Sequence, residues 1–258
     1  MPHVIRQLPS GNTALYAWFQ AMHTRVDLLL KSSSGDGDML LGIAGKVQVL
    51  INDIERAGNC FDPESELSRF NALEPGRRMP AGGYLHEMLS LCLQYNVLTQ
   101  GIFDVSVGSP CHTRDTISEL HVEPGVEIWR GSRGLYINLS GFIKGYALDR
   151  IRMLLKDMGI RDAVVNMGNS SVMAMGDVPM DLADGCITTS GNPPGRLLQI
   201  VNPLTGTVVP TAGRVEVSTS GGAEGEVLST VLFIAGDDPY YESLLRSRFD
   251  IRYIKRLS

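Results

Sequence analysis

The sequence predicts an α+β fold on three observations. Its middle and C-terminal parts carry runs of strands broken by Gly, Pro and Asn. Its helices are few and stand apart from those runs instead of alternating with them. At 258 residues, with 43% hydrophobic and 20% charged residues, the chain can bury a large core in one or two lobes.

Each element has its own signal. A strand is expected at about Arg25–Leu30, then a polar loop from Ser32 to Asp38, then an amphipathic helix at about Leu40–Glu55. A second helix at about Tyr84–Thr99 sets Leu85, Met88, Leu89, Cys92 and Leu93 on one side and stops at Gly101. Cys92 belongs to the core there, as a small hydrophobe. From Ile137 to Asp149 the chain reads as a strand, a turn of small residues, a lysine and a helix. That helix carries Ala147, Leu148, Ile151, Leu154, Leu155 and Met158 at helical spacing, and Gly159 ends it. Further strands are expected at Ala163–Asn166, Ser171–Met175, Cys186–Thr189, Leu197–Val201, Thr207–Val209 and Val215–Ser218. A helix at about Glu224–Ile234 ends at Gly236, and a shorter helix, Tyr240–Arg248, precedes a closing strand at Asp250–Ile254.

Bulk properties exclude several functions. A net charge of −5 argues against a general nucleic-acid or membrane-surface binder. No apolar run reaches the roughly 18 residues of a membrane span. Cys60, Cys92, Cys111 and Cys186 are scattered, with no C-x-x-C pair and no histidine at metal spacing, so no structural zinc is expected. The start of the chain, Met1 to Gln7, has neither an apolar segment nor a lipobox-like cysteine. A cytoplasmic location is therefore expected, with the periplasm or cell envelope as the alternative if the chain begins downstream of a signal. The five histidines have no Ser or Cys partner suggesting a triad and read as surface or satisfied groups.

Two features carry chemistry. Lys144-Gly145 sits where a small-residue turn meets a helix N-terminus, a place where free N–H groups and a lysine converge on an anion, although the same unit also occurs with no ligand. Glu226 and Thr230 are four residues apart on one helix face and offer two hard oxygen donors suited to Mg²⁺. The alternative is a glutamate favoured by the helix dipole beside a threonine that merely packs.

Six segments occur in a distinctive order. They are Phe61 to Asn71 (FDPESELSRFN), Gly101 to Gly108 (GIFDVSVG), Ile137 to Asp149 (INLSGFIKGYALD), Val164 to Gly168 (VVNMG), Val201 to Gly206 (VNPLTG) and Glu226 to Phe233 (EVLSTVLF). This set resembles the ApbE-type FAD:protein FMN transferases, over about Met22 to Gly236. The resemblance implies a single domain of two similar sheet-and-helix lobes holding the flavin between them. It also implies Mg²⁺-dependent transfer of FMN from FAD to a Ser or Thr hydroxyl of an acceptor flavoprotein, with release of AMP. By matching position, the metal ligands are Glu226, Thr230 and the Gly141 carbonyl. The FAD contacts are Met22, Phe61, Ile102, Phe103, Asp104, Asn138, Lys144, Gln199 and Ser229. Asp104 is the carboxylate assigned to activate the acceptor hydroxyl.

The chain departs from the resembled pattern in several places. The usual His-Ile-Ile-Asp-Pro reads Gln199-Ile200-Val201-Asn202-Pro203, the usual Gly-Gly-Asp reads Gly168-Asn169-Ser170, and Glu226 replaces an aspartate. Neutral amides cannot move protons at neutral pH. Three readings stay open on this basis: the transferase, a FAD-binding relative with lost or weak transfer or with hydrolysis of FAD to FMN and AMP, and a structural protein that keeps only the fold.

Overall fold

Alternating apolar residues build the main sheet. In the computed structural model, which describes residues 1–33, 36–125, 127–182, 184–192, 200–210 and 213–257, the chain opens with strands β1 (His3–Gln7), β2 (Thr13–Ala21) and β3 (Thr24–Ser32). Helices α1 (Gly37–Gly58) and α2 (Glu66–Asn71), the short β4 (Met79–Pro80) and α3 (Gly83–Leu98) follow, then β5 (Leu120–Val122) and β6 (Glu127–Arg130). The second half holds α4 (Ile143–Asp157), β7 (Asp162–Met167), β8 (Ser171–Met175), β9 (Gly185–Asn192), β10 (Val201–Asn202) and β11 (Thr207–Val208). It closes with β12 (Gly213–Thr219), α5 (Gly222–Ala235), α6 (Pro239–Arg248) and β13 (Tyr253–Leu257).

Among the described residues, eight strands form one antiparallel sheet of order β1-β2-β3-β7-β8-β9-β12-β13. Register stacks the inward residues in rows. Ala17, Leu28, Val165, Met173 and Cys186 form one, and all are buried. The next row begins apolar with Phe19, Val26 and Met167 and turns polar at Ser171 and Thr188. That change of chemistry on the core face marks where the site lies.

α1 packs on β2 and β3, while α5 packs on β9 and β12. α1 starts at Asp36, whose side chain accepts from the Met39 N–H at 3.0 Å, and α2 starts at Ser65, whose hydroxyl accepts from the Ser68 N–H at 3.0 Å. α4 and α5 meet through glycine. A Cβ on Gly145 would lie 2.2 Å from the Gly222 carbonyl oxygen, so the two backbones touch at a distance no side chain permits. Asp149 reinforces the junction by accepting from the N–H groups of Gly222 (2.6 Å) and Ala223 (2.9 Å) at the start of α5. The residues thus form an α+β fold, as the sequence predicts.

Some boundaries differ from the sequence expectation. Ile137 and Leu139 are buried with a half-buried Asn138 between them, but the segment joins no ladder among the described residues. The Asn71 side chain takes both the N–H and the carbonyl of Ile137 at 2.9 Å, and Asn138 N–H donates to the Val105 carbonyl at 2.9 Å. The closing strand is Tyr253–Leu257 rather than Asp250–Ile254, because Phe249 and Ile251 pack against the core before pairing with β12 begins. The hairpin of β1 and β2 and the small sheet β4-β6-β5 were not expected. Of the strand expected at Leu197–Val201, residues 197–199 lie outside the described residues, and Val201–Asn202 pairs with β11. No helix among the described residues is long and apolar enough to cross a membrane.

Candidate functional site

Two hairpin tips and three helix ends converge at one end of the main sheet. The β2–β3 tip places Met22 and His23 in the left-handed region, at φ 50° and 57°. The β7–β8 tip does the same with Gly168 and Asn169, and Asn166 Oδ1 accepts from the Asn169 N–H at 2.9 Å to hold the turn. The tips touch: a Cβ on Gly168 would lie 2.2 Å from the Thr24 hydroxyl. The second tip delivers Ser170 to Lys144, whose ammonium donates to the Ser170 hydroxyl.

A cleft of ≈ 80 Å³ opens beside Lys144, smaller than the roughly 300–1,000 Å³ usual for small-molecule sites. Its walls are Met22 and His23 from the hairpin, Glu55 and Asn59 from the end of α1, and Ser140 and Lys144 from the start of α4. Phe61 stands at its lip, 66% exposed, held there because Asn59 Oδ1 accepts from the Phe61 N–H at 3.0 Å. An aromatic this exposed contributes nothing to the core.

Glu226 occupies the polar end of the inward row. Its carboxylate is buried and accepts from the Ser171 hydroxyl, and its second oxygen has no hydrogen-bond partner among the described residues. Burial pushes its carboxyl above the ordinary glutamate range, opposed by the Lys144 charge and the Ser171 hydrogen bond. One turn on, Thr230 Oγ1 lies 2.9 Å from the Ser190 hydroxyl, which also meets Ser229 Oγ at 2.8 Å. Among the described residues no group of three or more His, Cys, Asp or Glu forms a metal cluster. The oxygens gathered along this side of α5 are instead the Glu226 carboxylate and the hydroxyls of Ser171, Ser190, Ser229 and Thr230.

The structure brings Met22, Phe61 and Lys144 together on the cleft, and Glu226, Ser229 and Thr230 together on α5. Gly141 lies exposed in the turn before α4. Asn138 turns its side-chain oxygen to the Ser140 N–H at 2.9 Å. Ile102 and Phe103 are buried, with Phe103 against Tyr95 and Phe142. Asp104 is buried too. One of its oxygens accepts from the Ser106 N–H (2.7 Å) and hydroxyl (2.6 Å), and the other lies 3.0 Å from His112 Nε2. His112 Nδ1 is buried with no partner among the described residues, a feature that reading the histidines as surface or satisfied groups missed. Gln199 lies outside the described residues.

Sequence reasoning also missed Glu55, Asn59 and Ser171. Glu55 had a readable signal, because an acidic side chain in the last turn of a helix opposes the helix dipole.

Next to this site, Glu224 titrates at about 7 instead of 4.5, raised first by burial and then by the charges of Asp149 and Asp250. The folded state therefore holds this proton more tightly than the unfolded chain. The associated stability is complete below pH 4.5 and is lost as pH rises through 7. We expect Glu224→Gln, which never ionises, to leave melting unchanged at pH 4 and to raise stability at pH 8. Because the group is partly exposed, the gain is about 1 kcal/mol, or roughly 2–4 °C. Equal shifts at both pH values would refute the assignment.

Comparison with known proteins bears on the family and the fold. The ApbE family model matches residues 22–253. The flavin transferase ApbE from Vibrio cholerae superposes with a TM-score of 0.79 at 18% identity, covering 99% of this chain and 97% of that one. The flavinyl transferase ApbE of Pseudomonas stutzeri, in its apo form, gives 0.78 at 18% identity over 90% and 87%. The ApbE protein of Thermotoga maritima gives 0.74 at 19% identity over 95% and 97%. At these identities the likeness is one of fold. No curated protein sequence matches the chain.

Proposed function

The chain belongs to the ApbE family, and on that premise we propose that it is an enzyme, a FAD:protein FMN transferase. The acceptor's Ser or Thr oxygen forms a bond to the FMN phosphorus of FAD, the pyrophosphate bridge breaks, and AMP leaves with the bridging oxygen. The observation that carries this reading is the pairing of a buried lone carboxylate, Glu226, with the Lys144–Ser170 contact beside an aromatic-lipped cleft.

The donor set suits Mg²⁺. Glu226, Thr230 and the Gly141 carbonyl are hard oxygens. A buried carboxylate with one hydrogen-bond donor has charge left to balance, and Mg²⁺ prefers one or two carboxylates with waters and phosphates. When bound, Mg²⁺ supplies charge neutralisation at the pyrophosphate oxygens. Lys144 and the N–H groups opening α4 add positive potential to the same phosphates. Met22 and Phe61 offer the isoalloxazine an apolar wall, and Asn138 and Ser229 complete the polar contacts. Asp104 is the carboxylate we assign to take the proton of the acceptor hydroxyl as the phosphorus–oxygen bond forms; in the fold it accepts from Ser106 and lies against His112 Nε2.

The alternative is a FAD-binding relative with weak transfer, or hydrolysis with water in the acceptor's place. Ser170 and Asn202 favour it, being neutral where the family pattern carries acids. Incubation with FAD, Mg²⁺ and a Ser/Thr acceptor peptide, read by mass spectrometry, separates these readings. Transfer adds the FMN mass to the peptide and releases AMP. Hydrolysis gives FMN and AMP with an unlabelled peptide, and a binding relative gives neither product. FAD at about 100 times its dissociation constant should stabilise the fold by roughly 2.7 kcal/mol. No melting shift up to millimolar FAD, with or without Mg²⁺, removes the cofactor from the proposal.

A further inference from the structure

Among the described residues Glu55 is the one carboxylate on the cleft wall, and its position opposes the local field. It sits in the last turn of α1, where the helix dipole disfavours negative charge. One of its oxygens, Oε2, accepts from the Met22 N–H at 2.8 Å. That bond secures a hairpin tip whose two central residues both carry positive φ without being glycine. Its other oxygen has no hydrogen-bond partner among the described residues. A cleft with Lys144 at one side and Glu55 at the other is electrically polar, so phosphates are drawn to Lys144 and repelled from Glu55.

Resting on the function proposed above, we propose that Glu55 is a further ligand-binding and orienting residue. It accepts a hydrogen bond from an N–H or O–H donor on the flavin half of FAD, and so fixes which end of the dinucleotide enters the cleft. The flavin half offers such donors in the ring imide and the ribityl hydroxyls. The same carboxylate holds the hairpin that carries Met22, so ring wall and donor recognition are set by one side chain.

The test compares FAD with ADP, which lacks the flavin half, by calorimetry without metal on wild type and Glu55→Gln. Glutamine keeps a carbonyl oxygen for the Met22 N–H, and it turns an NH₂ donor toward the ligand where an acceptor stood. We expect FAD affinity to fall about tenfold, the low end for hydrogen bonds to charged groups, while ADP binds as to the wild type and ligand-free melting is unchanged. Glu55→Asp, which keeps the charge but withdraws it by one methylene, should show the same FAD-selective loss. It serves if the glutamine variant fails to fold. Unchanged FAD affinity overturns the inference, and so does an equal loss for FAD and ADP, which would leave Glu55 a hairpin clamp only. Wild type that binds no FAD brings down the proposed function itself, a result distinct from either of these.

Discussion

Gly145→Ala is expected to destabilise the protein by about 3 kcal/mol and to disable the site with it. The added methyl carbon would lie 2.2 Å from the Gly222 carbonyl oxygen and 2.6 Å from Glu226 Cγ. The first obstacle is backbone, so no rotamer change relieves it and α4 must move away from α5. Overpacking of this kind costs about 1–3 kcal/mol when side chains can yield, and here the top of that range applies. The movement also strains the bonds from Asp149 to the first two N–H groups of α5 and separates Lys144 from Glu226. For a chain of this size the melting temperature should drop by roughly 6–12 °C. Gly45→Ala is the control. It lies inside α1 with nothing within 4 Å of the added carbon, and should gain up to about 1 kcal/mol from helix propensity. Equal melting temperatures for Gly145→Ala and wild type would mean that the helices do not meet through these glycines.

Much of the fold was legible because periodicity reports burial directly. The helices at α1, α3 and α4 and the strands β7, β8 and β12 follow from their apolar spacing, and Gly101, Gly159 and Gly236 adopt the positive φ that ends a helix. Ile137–Leu139 shows the limit of that reasoning. It reads as a strand, and Ile137 and Leu139 are indeed buried, but what pairs with a backbone is a tertiary fact, here the Asn71 side chain.

The site divides the same way. Glu226 and Thr230 could be placed on one helix face from spacing alone. That Ser171 donates to Glu226 depends on strand register across β7, β8 and β9, which no local pattern fixes. The link between Asp104 and His112 spans a loop of irregular structure, so neither partner announces the other. Gly145 and Gly222 look like ordinary helix-start glycines until the two helices are brought together.

Glu226→Gln should separate the metal from everything else Glu226 does. Glutamine preserves shape and still accepts from the Ser171 hydroxyl, so the inward polar row stays intact. Removing a buried charge that burial already disfavours should leave melting of the metal-free protein unchanged or slightly higher. What is lost is the anionic donor for a hard dication, so Mg²⁺-dependent AMP release should fall at least about tenfold, equivalent to roughly 1.4 kcal/mol in the barrier. FAD affinity measured without metal should hardly move. The pH profile follows from the same carboxyl. Its raised pKa means that protonation competes with Mg²⁺ at higher pH than for an ordinary glutamate, so the acid limb of wild-type activity should lie above the usual carboxylate range and move toward neutrality as Mg²⁺ is lowered. Full Mg²⁺-dependent activity in the variant would place the metal elsewhere and leave Glu226 a structural partner of Ser171. A wild type inactive with every divalent ion and acceptor tried would instead direct attention to Gln199 and Asn202, whose neutral amides stand where the family pattern carries a histidine and an aspartate.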